Sequence, residues 1–183
     1  MEEIQNEERL QKIFTNVNDW LKFADTKSSI LLAFNGASIF GLTKMFDFQF
    51  IKDHDWTHVY IYCALAQLIF SSIWCLICLT PRVTILQGAL APQTAHPNIL
   101  FYEYLKTKTG TDILKELYNT NEGDFTRYER DLAEQIKQNS IIASRKYSYF
   151  TVAVWLTISS YITFILAGIF IAYTYKDDWF NKK

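Results

Sequence analysis

Charge along this chain is segregated rather than spread, and the uncharged stretches it leaves predict three long apolar helices. Residues 147–175, YSYFTVAVWLTISSYITFILAGIFIAYTY, contain no Asp, Glu, Lys, Arg or His. As a helix rising about 1.5 Å per residue they would reach roughly 40 Å, more than the roughly 30 Å of hydrocarbon in a bilayer. Tyr147, Tyr149 and Phe150 follow Arg145 and Lys146 at one end, and Tyr173, Tyr175 and Trp179 flank Lys176 at the other. Amphipathic aromatics backed by cations hold a helix at headgroup depth. Residues 56–81 lack Asp, Glu, Lys and Arg, carry Trp56, Tyr60 and Tyr62 at their start, and end on Pro81 before Arg82. Residues 28–43, SSILLAFNGASIFGLT, are again uncharged, and Met45, Phe46, Phe48 and Phe50 extend them around Lys44, whose long stem can snorkel. The expected fold is an all-α membrane protein with three transmembrane helices, an amphipathic N-terminal helix and a helical cytosolic insert.

Five segments follow: an amphipathic helix at 1–27, a transmembrane hairpin at 28–81, the insert at 82–146, a third span at 147–175 and an outer tail at 176–183. In the first, Leu10, Ile13, Val17, Trp20 and Ala24 recur at spacings of three and four, with Phe14 and Leu21 beside them, while Glu7, Lys12, Asn18, Lys22 and Asp25 take other faces. The polar face is mixed in sign, so packing on another helix is expected in preference to lying on lipid. In the first span Ser29, Ala33, Ala37 and Gly41, four apart, give one face of small side chains that lets helices approach closely. Asn35 lies mid-span and needs an interhelical partner or a polar cavity. In the insert, Gly88, Pro92 and Pro97 argue for irregular chain, residues 99–104 for a short apolar anchor, and residues 112–118 for a short helix with Thr111 as its cap; residues 119–124 read as a loop. From Asp124 the period is helical, with Phe125, Tyr128, Leu132, Ile136 and Ile142 or Ala143 on one face, and no breaker precedes the third span.

Composition adds exclusions. The net charge is −1 and the mean hydropathy −0.00, so nothing in the overall field calls for nucleic acid. Cys63, Cys75 and Cys78 all lie in one apolar window and make no disulfide framework. The acidic start, MEEIQNEERLQKIF, has no basic region ahead of an apolar core, so the spans themselves are expected to direct insertion. His54 and His58, four apart, lack the further ligands of a metal site, and no metal or cofactor is expected. No catalytic triad or Gly-rich phosphate loop can be assembled, which argues against an enzyme. Cations at the span ends are balanced. The insert, with nine Lys and Arg and eight acids across 82–146, is the harder part to translocate. The N-terminus and insert are therefore expected in the cytoplasm and the C-terminus outside.

Three stretches carry a family resemblance. WLKFADTKSSILLAFNGASIFGL resembles the W-x-x-x-A-D-x-K segment that runs into a small-residue span in the transmembrane effectors of the bacterial Pycsar antiphage systems (PycTM). HPNILFYEYL resembles that family's Pro-Asn-anchored aromatic stretch, and LAEQIKQNSIIASRKYSYF its Gln-Ile then Lys-Tyr helix entering the last span. The order matches from about Val17 to Ala172. The resemblance implies an effector switched on by a cyclic pyrimidine mononucleotide (cUMP or cCMP) from a companion cyclase, which disrupts the bacterial inner membrane and kills the cell.

Such a ligand needs a cation for its phosphate and an aromatic or apolar face for its base. Arg127, Arg130 and Arg145 answer the first need and Phe101, Tyr102 and Tyr128 the second. Gln135 and Asn139, one helical turn apart, could read a pyrimidine edge. A homo-oligomer built through Ser29, Ala33, Ala37 and Gly41 would let several ligands share the cost of opening, with Asn35 as a further helix-packing or gating residue. The alternative is a constitutive scaffold whose insert binds a protein partner.

Overall fold

A computed structural model of the chain describes residues 2–47, 51, 55–80, 98–120 and 125–174. They form five helices: α1 (Glu2–Met45), α2 (Asp55–Leu79), α3 (Tyr102–Leu105), α4 (Gly110–Tyr118) and α5 (Arg127–Thr174). No strand occurs among the described residues. His54, residues 81–97, the 121–124 part of the expected loop and the tail from 175 lie outside them.

The helices divide between two compact units. The first comprises Met1–Lys27 and Cys78–Tyr149; the second comprises Ser28–Ile77 and Phe150–Lys183. The N-terminal segment and the insert therefore share one unit, and α1 and α5 each contribute to both.

In the first unit the apolar stripe of α1 is buried as its spacing requires. Leu10, Ile13 and Val17 pack with Leu105, Ile113, Leu114, Phe125, Leu132, Ala133 and Ile136 in one core. Burying each large aliphatic side chain contributes about 1.5–3 kcal/mol, so this core is what holds α1 to the insert. Both short-range helix starts are reciprocal caps. Thr109, not Thr111, caps α4: its hydroxyl accepts from the Asp112 N–H while the Asp112 carboxylate accepts from the Thr109 N–H and hydroxyl. Thr126 and Glu129 repeat the arrangement at the start of α5, with the Tyr118 hydroxyl as a further donor to Glu129. Tyr128, expected on the inward face, is exposed, and Glu129 and Ala133 are buried instead. α5 begins at Arg127, so Phe125 precedes the helix and does not set its period.

In the second unit α1 and α5 run parallel, since their contacting positions rise together: Asn35 meets Thr157 and Ser38 meets Tyr161. α2 runs against them, Ser71 meeting Thr157 and Ala64 meeting Ser160. Leu42, Ala64 and Leu68 form its buried apolar cluster with Ile39, Met45, Leu65 and Phe164 around them. Outward-facing Ile30, Phe34, Phe40, Ile69, Phe70, Trp155, Ile162 and Ile165 are large and exposed, a surface that suits lipid and not water.

Two helices, Trp56–Leu79 and Arg127–Ile171, are long and apolar enough to cross a membrane, each reaching a mean hydropathy of 2.0. The expectation of three such helices is thus met for two. Residues 28–43 fall short because Ser28, Ser29, Asn35, Ser38 and Thr43, with Gly36 and Gly41, dilute their apolar residues.

Candidate functional site

Four aromatic residues from three distant stretches meet in the first unit. Trp20 of α1 lies 6.5 Å from Phe101, 5.6 Å from Tyr102 and 6.0 Å from Tyr147, measured between ring centres. Tyr102 stacks on Tyr147 at 5.3 Å with 14° between planes. Phe101, the extended residue that begins α3, sits 4.9 Å from Tyr102. Mixed edge and stacked pairings of this kind add about 0.5–1.5 kcal/mol each beyond burial.

Charges surround the rings. The Lys146 ammonium, almost fully buried, is held by the Asp25 carboxylate, one partner from α5 and the other from α1. Lys27 places its ammonium 4.4 Å from the Phe23 ring centre and 5.7 Å from that of Tyr147. Lys106 is paired with Glu103 and donates to Ser144 at 2.9 Å. Lys27, Lys106 and Lys146 thus bring cations to the cluster, two of them held by Glu103 and Asp25, and Arg145 is next along α5. Burial first, then the negative charge of Glu103 and the neighbouring Tyr147, pushes the Tyr102 hydroxyl up to about 12. It stays a neutral donor throughout the physiological range.

The same helix pair makes polar rungs elsewhere in the unit. The Asn139 amide donates to Asn18 at 2.8 Å, and Gln11 reaches the Tyr128 hydroxyl at 3.4 Å. Contacting positions again rise together, so α1 and α5 are parallel here too.

The sequence-derived ligand residues do not gather in one place. Phe101 and Tyr102 belong to the aromatic cluster, near the α5 turn that carries Arg145. Arg127 and Arg130 lie on the first turn of the same helix; 18 residues at about 1.5 Å put Arg127 roughly 27 Å from Arg145, too far to share a phosphate. Arg127 is exposed and lies 3.7 Å from Asp131. Tyr128 and Gln135 are exposed, while Asn139 is engaged with Asn18. Sequence reasoning passed over Trp20, Asp25, Lys27, Lys146 and Tyr147 as site residues. The signal was there: they are the Trp, Asp, Lys and Lys-Tyr of the first and last family-like stretches, which the fold brings side by side.

The second unit has its own polar centre. Asn35, fully buried, donates to Ser71 at 2.8 Å and accepts from Thr157 at 3.0 Å, and the Ser71 and Thr157 hydroxyls are 2.9 Å apart. Three donors and three acceptors can close a ring across three helices, with the Ala153 carbonyl as an alternative acceptor for the single Ser71 proton. Asn35 thus has the interhelical partners that its depth demands. Ser29, Ala33, Ala37 and Gly41 face outward, and a Cβ added at Gly41 would meet nothing within 4 Å.

The described residues form helices and no strands, two of those helices are long and apolar enough to cross a membrane, and the first unit gathers aromatic rings and charges from α1, α3 and α5. Over residues 9–173 the chain matches the Pycsar effector protein domain, and it belongs to that family. It is an effector of antiphage defence, in a family whose signal is a cyclic nucleotide made by a cyclase. No curated relative and no solved structure matches the chain.

Proposed function

We propose that this effector sits in the bacterial inner membrane, binds a cyclic pyrimidine mononucleotide in its first unit and responds by breaching the bilayer, killing the infected cell. The observation that carries this reading is the convergence of Trp20, Phe101, Tyr102 and Tyr147, with Lys27 and Lys146 beside them, on two helices that continue unbroken into apolar segments. Rings offer a base a stacking face, and the lysines beside them suit a cyclic phosphate. The chain acts by binding, not catalysis, and needs no cofactor.

Three segments cross in this reading. Residues 28–45 of α1 run parallel to α5 and share the buried ring with α2, so they occupy the same layer as the two more apolar helices. With three crossings, the N-terminus and insert are cytoplasmic and the C-terminus is outside. Moving a bundle from mostly closed to mostly open requires the ligand to favour the open state by about 5 kcal/mol, which several copies acting together supply more readily than one. Their contact is the small outward face of Ser29, Ala33, Ala37 and Gly41.

Calorimetric titration of the detergent-solubilised chain with cyclic UMP and cyclic CMP should give binding heat for at least one, reduced by Phe101→Ala. Silence with both nucleotides rejects the binding reading. Leakage from liposomes triggered by the bound nucleotide separates this effector from a scaffold that opens nothing.

A further inference from the structure

We propose that the Lys27 ammonium is the anion-binding group of the first unit, and that the ligand it takes is a monoanionic phosphodiester with an apolar group beside its phosphate. A cyclic mononucleotide and an anionic phospholipid share this chemistry. In its nucleotide form the proposal rests on the binding reading above; in its lipid form it stands without it.

Three lysines approach the aromatic cluster, and their partners tell them apart. Lys106 is held by Glu103 and Lys146 by Asp25, so an anion arriving at either must displace a carboxylate. The Lys27 ammonium rests instead on ring faces, 4.4 Å from the centre of Phe23 and 5.7 Å from that of Tyr147, and no carboxylate pairs with it among the described residues. A ring face attracts an ammonium through its quadrupole and leaves the charge in place, whereas a phosphate oxygen accepts a charge-assisted hydrogen bond from it. The gain from adding an anion is therefore largest at Lys27.

Helix geometry puts that ammonium on the side of the rings. At about 100° per residue, Trp20 falls within about 20° of Lys27 around α1, and Asp25 falls about 160° away. Lys27 thus shares a side of α1 with the cluster, and the ion pair of Asp25 with Lys146 does not. Phe23 is half exposed, so a ring beside the ammonium is open to the apolar part of a ligand, a pyrimidine base in one case and acyl glycerol in the other. Lys27 is also the last charged residue before the uncharged residues 28–43, and Tyr147 opens the uncharged stretch 147–175. In the three-span reading both stand at headgroup depth on the cytoplasmic side, within reach of a cytosolic nucleotide and of an inner-leaflet phosphate. An anion there touches α1 at Lys27 and α5 through Tyr147, the two helices that run on into apolar segments.

The test uses the full chain. In the first arm the detergent-solubilised protein is titrated calorimetrically with cyclic UMP and with cyclic CMP. Lys27→Gln should weaken binding of the nucleotide that the parent takes by at least about tenfold, equivalent to about 1.4 kcal/mol. Lys27→Arg should restore it, and Lys22→Gln, which removes the same charge from an exposed position paired with Asp19, should leave it unchanged. In the second arm the chain sits in phosphatidylcholine vesicles with spin-labelled phosphatidylglycerol or spin-labelled phosphatidylcholine as the probe. A parent preference for the phosphatidylglycerol probe that Lys27→Gln abolishes and Lys22→Gln keeps assigns the site to lipid. Loss in either arm supports the proposal, and the arm names the source. A Lys27→Gln variant that matches the parent in both arms overturns it, as does an equal loss with Lys22→Gln, which would mean a diffuse field and no site. Helical circular dichroism establishes folding, and Lys27→Met, which keeps the stem without the charge, replaces Lys27→Gln if that variant fails it. A parent that binds neither nucleotide, with lipid preference still lost in Lys27→Gln, rejects the nucleotide reading and keeps the site. Nucleotide binding untouched by Lys27→Gln, with no lipid preference to lose, rejects the site and keeps the reading.

Discussion

Tyr102 shows how one residue reports on the candidate site. Its hydroxyl is held neutral to about 12 by burial, by Glu103 and by Tyr147, whereas an unfolded tyrosine ionises near 10. Because the folded value is the higher one, the folded state gains stability below about pH 10 and loses that gain as pH rises toward 12. Tyr102→Phe keeps the ring on Tyr147 and removes the ionising group. Unfolding temperature in detergent, followed from pH 9 to 12, should therefore fall less steeply for the variant than for the parent; parallel curves would mean that Tyr102 is not shielded. Little of this was legible from local spacing. Trp20, Tyr102 and Tyr147 lie far apart in sequence, and the 3.6-residue period speaks only to neighbours one or two turns away. Asp25, read as a solvent-face acid, anchors the buried Lys146, because a position on a helix rim is decided by which other helix arrives beside it. Asp112 was read as the first helical residue after a Thr111 cap, although the Thr109 and Asp112 spacing of three is itself the capping signature.

At the scale of the element, α1 and α5 are single helices of 44 and 48 residues, about 66 and 72 Å long, so neither fits within a bilayer. The continuity of α5 was legible, since no Gly or Pro interrupts residues 125–147. So was the α1 stripe of Leu10, Ile13, Val17 and Ala24, all now buried. The reduced apolarity of residues 28–43 was legible in part: the same Asn35 and serines that weaken them as a span are what join α1 to its neighbours. Asn35→Leu should cost about 1 kcal/mol, since it removes two interhelical hydrogen bonds worth about 0.6 kcal/mol each in a membrane bundle and keeps the heavy-atom branching of the side chain. The check is thermal unfolding of the purified protein in detergent, compared with Phe40→Leu, whose side chain is 65% exposed and should change little. An unchanged midpoint for Asn35→Leu would mean that the ring contributes nothing to the bundle.

For the whole molecule, the decisive question is whether killing requires several copies, and the structure makes that test clean. The buried side of α1 in the second unit is Ser28, Asn35 and Leu42, seven apart, whereas Ser29, Ala33 and Ala37 lie on the exposed side. A substitution on the exposed side therefore need not disturb the fold of one chain, yet it would hold two small helix faces apart by the width of the added side chain. Ala37→Leu, alone or with Ala33→Leu, is expected to leave membrane insertion, helicity and nucleotide binding intact while abolishing killing in cells that express a companion cyclase. The expected order is graded: the double variant loses assembly, read by crosslinking in native membranes, at least as completely as the single. Cells killed as efficiently by Ala37→Leu as by the parent would remove this face as the working interface. Loss of killing with assembly retained would instead place the defect after assembly, in the opening itself.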